Sequence, residues 1–415
     1  MKKVLETILT RYLVAFLNLL LIFINARALG KSGVGVVGVV YASANIAFIF
    51  SSILCGNTII YFMNRYRLKY VFASGYVWAV VGSGIAVGAM ALLKIIPDCF
   101  ELQVFGLSVL MSLVAVNSRV LLGRDFVQLF NITFLLQGGL LFFILIIIYY
   151  AAGYRDPSAY VTGLFLTNLA AWIASLLFLT RIGRKKPADN TLTTKPWWTI
   201  AAEMFVYGLW SFADNFAEGL TTRLNYFLIQ RFGGFAQVGL LDAGTKISES
   251  VWHISRSVSS ISYSEVARTP DAEQQRRMTL RYFKWTYCAL ILVMTVVWLL
   301  PEKIYTDYLF TPEFQGIRQV VRGLAAGVVA LGSNSIISHY FIGTGQVKIS
   351  ALCSFIGLAA LCLAGLFLIP ASGVFGAAVA TSIAFCLMLL FSLTVFVLRT
   401  KTRPSELLPR IADFK

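Results

Sequence analysis

Five ionisable residues spaced along one helix face, in otherwise apolar sequence, are where this chain could do chemistry. Asp242, Lys246, Glu249, His253 and Arg256 follow one another in steps of four, three, four and three, which keeps side chains on a single face of an α-helix. Tyr207, Ser211, Asp214, Glu218, Thr222 and Asn225 make a second stripe just before it, and Arg11, Asn18 and Asn25, seven apart, a quieter third. Cations in such a stripe can hold an anionic group, arginine gripping phosphate oxygens with two donors and lysine acting as a point charge. Arg11, Lys246 and Arg256 are the candidates for a phosphate, with Arg223 behind them. Asp214 and Glu218 stand one turn apart with no cation at close helical spacing, and neighbouring carboxylates raise each other's pKa, which suits uptake of a proton or sodium ion. Two other readings stay open. Asp242 with Lys246, and Lys246 with Glu249, could pair along one helix and do nothing more. Asp214 or Glu218 could equally pair with Arg223 or Lys246.

The elements that must position these residues are membrane spans. Hydrophobic residues make up 58% of the 415-residue chain and charged residues 13%, against roughly 25% charged in a soluble domain. The apolar blocks approach the roughly 20 residues that cross about 30 Å of hydrocarbon. Twelve spans are expected, from 9–28 to 373–398, with the seventh at 200–230, the eighth at 236–262 and the ninth at 284–304. The first reads as a span and not as a cleaved signal peptide, because no small-residue cleavage site follows it. Ionisable side chains at such depth cost about 2.5–3.5 kcal/mol each on insertion scales and normally face a water-filled cavity or a partner.

Charge gives the orientation. The net charge of +16 could suggest nucleic acid. Its distribution instead fits positive residues held inside. With the amino terminus inside, Arg65, Arg67, Lys69, Arg181, Arg184, Lys185, Lys186, Arg276, Arg277, Arg399 and Lys401 are all cytoplasmic, while Asp98, Glu101, Glu302, Asp307 and Glu313 fall in outer loops. Both termini are therefore expected in the cytoplasm, and no nucleic acid is expected as a partner.

The expected organisation is all-α: an N-terminal six-helix lobe over 1–181, a cytoplasmic linker over 182–199, a C-terminal six-helix lobe over 200–398 and a cytoplasmic tail over 399–415. The lobes resemble each other. Gly38 through Ile46 lines up with Gly239 through Ile247, each after a Gly-rich turn, which sets Asn45 opposite Lys246 and adds it to the polar cavity residues. Leu122-Gly123-Arg124 likewise matches Ile342-Gly343-Thr344. Six spans per lobe is an even number, so the repeat is parallel, a layout of transporters with a central cavity.

Enzymatic motifs are missing from the sequence: it has no P-loop, no G-x-S-x-G elbow and no zincin motif. The six cysteines show neither CxxC nor zinc spacing, so neither a disulfide framework nor a metal site is expected, and no cofactor. No outer loop is long enough to carry the catalytic residues of a membrane glycan polymerase or ligase. A non-enzymatic role follows.

Four stretches resemble the Wzx-type polysaccharide flippases of the multidrug/oligosaccharidyl-lipid/polysaccharide exporter superfamily. They are Ala28-Leu29-Gly30-Lys31-Ser32-Gly33-Val34-Gly35, Arg223-Leu224-Asn225-Tyr226-Phe227-Leu228-Ile229, Tyr308-Leu309-Phe310-Thr311-Pro312-Glu313-Phe314, and Ile369-Pro370 through Thr381. The resemblance implies a bacterial inner-membrane protein that moves undecaprenyl-pyrophosphate-linked repeat units of O-antigen or capsule from the inner to the outer leaflet. Its partners would be that lipid-linked oligosaccharide, membrane lipids and a coupling proton or sodium ion. Many relatives carry aspartate where this chain has Asn225, which shifts ion coupling toward Asp214 or Glu218. A cation-coupled drug antiporter of the same fold is the alternative.

Overall fold

The structure, a computed structural model, describes residues 2–56, 58–63, 65–124, 126–183 and 195–407. These form helices and no strand: α1 Lys2–Cys55, α2 Thr58–Phe62, α3 Leu68–Leu92, α4 Glu101–Gly123, α5 Val127–Ile146, α6 Pro157–Gly183, α7 Trp197–Arg268, α8 Ala272–Leu299, α9 Ile317–Gly343 and α10 Val347–Thr400. Three of them are too long for one crossing, and each breaks at a glycine. Gly30 has φ 65° and ψ 179°, Gly234 φ 73° and ψ 177°, and Gly373 φ 55° and ψ −128°. Side chains other than hydrogen clash in that region of backbone space, so glycine alone can end one span and start the next there without a loop. Eight helices are long and apolar enough to cross a membrane. Dividing α1 and α10 at their breaks makes these ten, and the two halves of the more polar α7 bring the crossings to twelve. The chain is an all-α, polytopic membrane protein.

The ninth crossing differs from expectation. It runs over Ala272–Leu299 and not 284–304. Asp271 caps its start, accepting from Glu273 N at 3.2 Å and Gln274 N at 3.1 Å, and Glu273 then pairs with Arg276 and Arg277 at 2.7 and 2.8 Å. An amphipathic first turn held by a cap and ion pairs carries no hydropathy signal. At the other end Leu300 precedes Pro301, which disfavours helix, and Ile304–Leu309 forms a separate π turn.

Two compact units divide the chain: one takes the residues up to Leu29 and Val36–Phe216, the other Gly30–Gly35 and everything from Ala217 on. Of the expected linker, 184–194 lie outside the described residues, as does the tail beyond 407. In the first unit one core joins Val40, Val104, Leu107, Leu145 and Tyr149. Another joins Ile59, Val71, Val116, Ile200 and Met204. In the second, Phe283, Ile337, Phe341 and Phe396 pack together. Large apolar side chains face outward elsewhere, Leu92 at 86% exposure and Phe367 at 76%, as lipid-facing helices require.

The repeat is visible within each unit. α4 and α9 are the most enclosed spans, with 61% and 67% of their most apolar stretch buried against 39% or less for the other candidate spans. They also end alike. Arg124 N bonds Val120 O and Phe126 N bonds Leu121 O, just as Thr344 N bonds Tyr340 O and Gln346 N bonds Phe341 O. Around the glycine breaks, however, the equivalence is Gly30 with Gly234 and Gly35 with Gly239, three residues away from the sequence alignment of Gly38 with Gly239. Inside the second unit these two glycines cross backbone to backbone: a Cβ on Gly35 would strike Phe235 O, and one on Gly239 would strike Lys31 O. The contacts are reciprocal, as in a two-fold arrangement. Glu313 accepts from Lys31 N at 3.1 Å, placing a carboxylate at the positive start of the helix that follows Gly30.

Candidate functional site

The Gly234 break folds α7 back on itself, so residues 217–233 and 235–256 lie side by side in the second unit. Charges that sequence places far apart meet there. Lys246 Nζ lies 2.6 Å from Asp242 Oδ2. Tyr226, fully enclosed, donates its hydroxyl to Asp242 Oδ1 at 3.0 Å. Arg223 donates to the Tyr226 hydroxyl at 2.9 Å and reaches Glu249 Oε1 at 3.2 Å. The result is an unbroken relay, Lys246–Asp242–Tyr226–Arg223–Glu249, holding two cations and two anions. Asp242 is only 2% exposed, and its carboxylate oxygens face Lys246 and Tyr226. Lys246, Glu249 and Arg223 are partly open, and their ends can meet water or a ligand.

A narrow slot adjoins the relay. Thr222, Asn225, Tyr226, Thr245, Glu249, Trp252, Thr381 and Phe385 are among its walls. Among the described lining residues Glu249 alone brings a charge into it; the others are hydroxyl, amide, aromatic and aliphatic. Arg256 is exposed, with its guanidinium 4.1 Å from the centre of the Trp252 ring, a cation–π geometry. Asn225 is fully committed as a donor: its amide nitrogen bonds Ala377 O at 2.9 Å and Thr381 Oγ1 at 2.6 Å. Its oxygen is buried without a donor.

Of the residues singled out from sequence, Arg223, Asp242, Lys246 and Glu249 come together in the relay, with Asn225 across the slot. Of the two pairings left open along α7, Asp242 with Lys246 forms, and Glu249 takes Arg223 in place of Lys246. Glu218 is half-buried on α7. The side chains of Ser211, Asp214 and His253 lie outside the described residues. The remaining ones belong to the first unit. Arg11 and Asn18 are exposed, Asn25 is buried and accepts from the Tyr149 hydroxyl at 3.1 Å, and Asn45 donates to Tyr41 O on its own helix at 2.9 Å. Sequence reasoning missed Tyr226, Trp252 and Thr381. Tyr226 lies three residues after Arg223, a spacing that puts the two on neighbouring turns, and that was its one signal.

Comparison with known proteins finds no matching protein-family model and no matching curated protein. Solved structures do match. The chain is similar to the inward-facing conformation of a multidrug resistance MATE family transporter of the MOP superfamily, with TM-score 0.70 and 14% identity over 94% of each chain. It is similar to the lipid II flippase MurJ in an inward closed conformation, with TM-score 0.68 and 14% identity over 98% of this chain and 88% of that one. An outward-facing MATE family transporter matches with TM-score 0.63 and 14% identity, over 96% of this chain and 95% of that one. The chain shares the fold of these transporters and flippases.

Proposed function

We propose that the chain is a flippase for lipid-linked oligosaccharides, carrying an undecaprenyl-pyrophosphate-linked repeat unit from the inner to the outer leaflet by alternating access. The relay carries this reading. Two cations at membrane depth are held in place by carboxylates, and a pyrophosphate can replace those carboxylates oxygen for oxygen. Arg223 and Lys246 are the central phosphate ligands, with Arg256 as an additional one; Arg11, in the first unit, is a separate candidate. When a pyrophosphate takes Arg223, Glu249 loses its cation partner beside the slot. Asp214 and Glu218 are the further ion-coupling acids. Asn225 is not one, since an amide that donates to Ala377 O and Thr381 Oγ1 presents no charge to a cation. The fold shared with MurJ supports the reading, as do the four stretches that resemble Wzx-type flippases.

The test is reconstitution in liposomes with a fluorescent polyprenyl-pyrophosphate oligosaccharide, following its arrival in the opposite leaflet. Two charge-balanced variants avoid stranding a buried ion: Arg223→Gln with Glu249→Gln, and Lys246→Gln with Asp242→Asn. Each is expected to slow transfer at least tenfold in protein that still folds. Wild-type transfer in both would remove the phosphate role.

A second reading rests on the slot itself, whose aromatic walls and one carboxylate suit a lipophilic cation. Export of a cationic dye that depends on Glu249, with no lipid movement, would establish a cation-coupled drug antiporter instead.

A further inference from the structure

On another face of α9 from the slot, α8, α9 and α10 enclose a shallow trough in the second unit. Tyr287, Ile291, Met294 and Trp298 line it from α8 in steps of four, three and four, facing Ala326 and Ala330 on α9. Small side chains on α9 leave the space. From Tyr287 to Trp298 the helix rises about 16 Å at 1.5 Å per residue, close to one leaflet's share of roughly 30 Å of hydrocarbon. Neighbouring Leu292 and Leu299 are 69% and 60% exposed, so the trough opens on a lipid-facing surface.

Its Trp298 end is basic. Arg322 sets its guanidinium 4.7 Å from the centre of the Trp298 ring, and Arg318 stands one turn away on the same helix face. The Nε atoms of both are shut off from solvent with no acceptor. Among the described residues no carboxylate forms an ion pair with either arginine. The acids of the adjoining loop are otherwise engaged. Glu302 accepts from Gly316 N at 2.7 Å, Glu313 from Lys31 N at 3.1 Å and Asp307 from Thr306 Oγ1 at 2.8 Å. Two guanidiniums at the depth of a headgroup, above an apolar trough one leaflet long, match a molecule with an anionic phosphate at the head of a hydrocarbon chain.

We propose that this trough holds one acyl chain of an anionic phospholipid, whose phosphate is gripped by Arg318 and Arg322. The leaflet is the one at the 298–317 end of the spans, the outer leaflet in the orientation that the charge distribution implies. The occupant is a bulk membrane lipid and not the transported carrier, because the trough faces lipid and is lined by none of the relay residues.

Native mass spectrometry of the full chain, titrated with phosphatidylglycerol, tests this. Arg318→Gln with Arg322→Gln is expected to weaken binding at least fivefold, and so is Ala326→Trp, which fills the trough and leaves both arginines intact. Dioleoylglycerol, which lacks the phosphate, and glycerol phosphate, which lacks the chains, should each bind at least fivefold more weakly than phosphatidylglycerol. A smaller loss in either variant, or equal binding of either fragment, overturns the proposal. Displacement of phosphatidylglycerol by polyprenyl phosphate at tenfold lower concentration would overturn the choice of occupant. If the glutamine pair does not fold, Arg318→Lys with Arg322→Lys replaces it, keeping the charge but losing the two-pronged grip, with the same fivefold threshold.

Discussion

The two units solve the same problem, polar groups at membrane depth, in opposite ways. In the first, the mid-span networks among the described residues are neutral, and its Lys195–Glu203 ion pair sits at the start of α7. Tyr76 donates to Asn117 at 2.9 Å, Asn117 donates to Ser175 at 2.8 Å, and Trp172 donates to the Tyr76 hydroxyl at 3.1 Å. Gln137 donates to Asn168 at 3.0 Å. In the second, the relay from Lys246 to Glu249 contains four full charges. Neutral hydrogen bonds between helices in lipid contribute about 0.6 kcal/mol each on average and can be lost singly. A buried charge cannot lose its partner without a large penalty. The first unit's networks therefore read as fastening, while the second unit retains an arrangement that packing alone would not favour, which is the reason to seek function there.

That contrast can be broken by single substitutions. Lys246→Ala should have the largest effect, about 3–5 kcal/mol, because it strands the enclosed Asp242 charge. Adding Asp242→Asn should recover most of the loss, and thermal unfolding in nanodiscs measures both. Without recovery, the pair would not be the source of the cost. Asn117→Ala comes next at about 1–3 kcal/mol, since it leaves Tyr76 and Ser175 with buried, unmatched groups. Tyr149→Phe removes only the bond to Asn25 and should cost about 0.5–1.5 kcal/mol. If it equalled Lys246→Ala, the distinction between the units would fail.

The smallest effect is expected at a part-buried charge pair between the start of α8 and the turn after α10. Arg276 lies 2.5 Å from Glu406, in a 3-10 turn that follows α10, and holds the Glu406 carboxyl below the usual carboxylate range. Whatever this pair contributes is therefore present above the ordinary carboxylate pKa and is lost as pH falls through the lowered one. Limited proteolysis after residue 400 should accelerate over that interval, and also with added salt. The packed spans should stay intact throughout.

Much of this was legible in the sequence. Uncharged runs of span length gave the all-helical membrane fold, and the four-and-three spacing of Asp242, Lys246 and Glu249 put them on one face. The pairing was not legible. Arg223 meets Glu249 only because Gly234 reverses the chain between them, and helical spacing says nothing across a reversal. Tyr226 joins two ion pairs, yet a tyrosine in an apolar helix looks like any aromatic anchor. The repeat register was misplaced by three residues because Gly38 and Gly239 match as letters, whereas the structural equivalence follows backbone conformation at Gly30 and Gly234. The early start of α8 was hidden by its polar first turn, which no hydropathy pattern reports.

The crossing of Gly35 and Gly239 has a consequence for how the protein is made. Residues 30–35 belong to the unit whose remainder begins at Ala217, so neither unit is a continuous stretch of the gene. During synthesis the hexapeptide leaves the ribosome early and meets the backbone of Phe235 and Gly239 only when they follow, Gly239 204 residues after Gly35. The second unit cannot close before then, however well its later helices insert. Expressed from residue 217 alone, it would lack the strand of backbone that Phe235 and Gly239 are shaped to receive, and co-expressed halves cut near residue 190 would have to find this contact between separate chains.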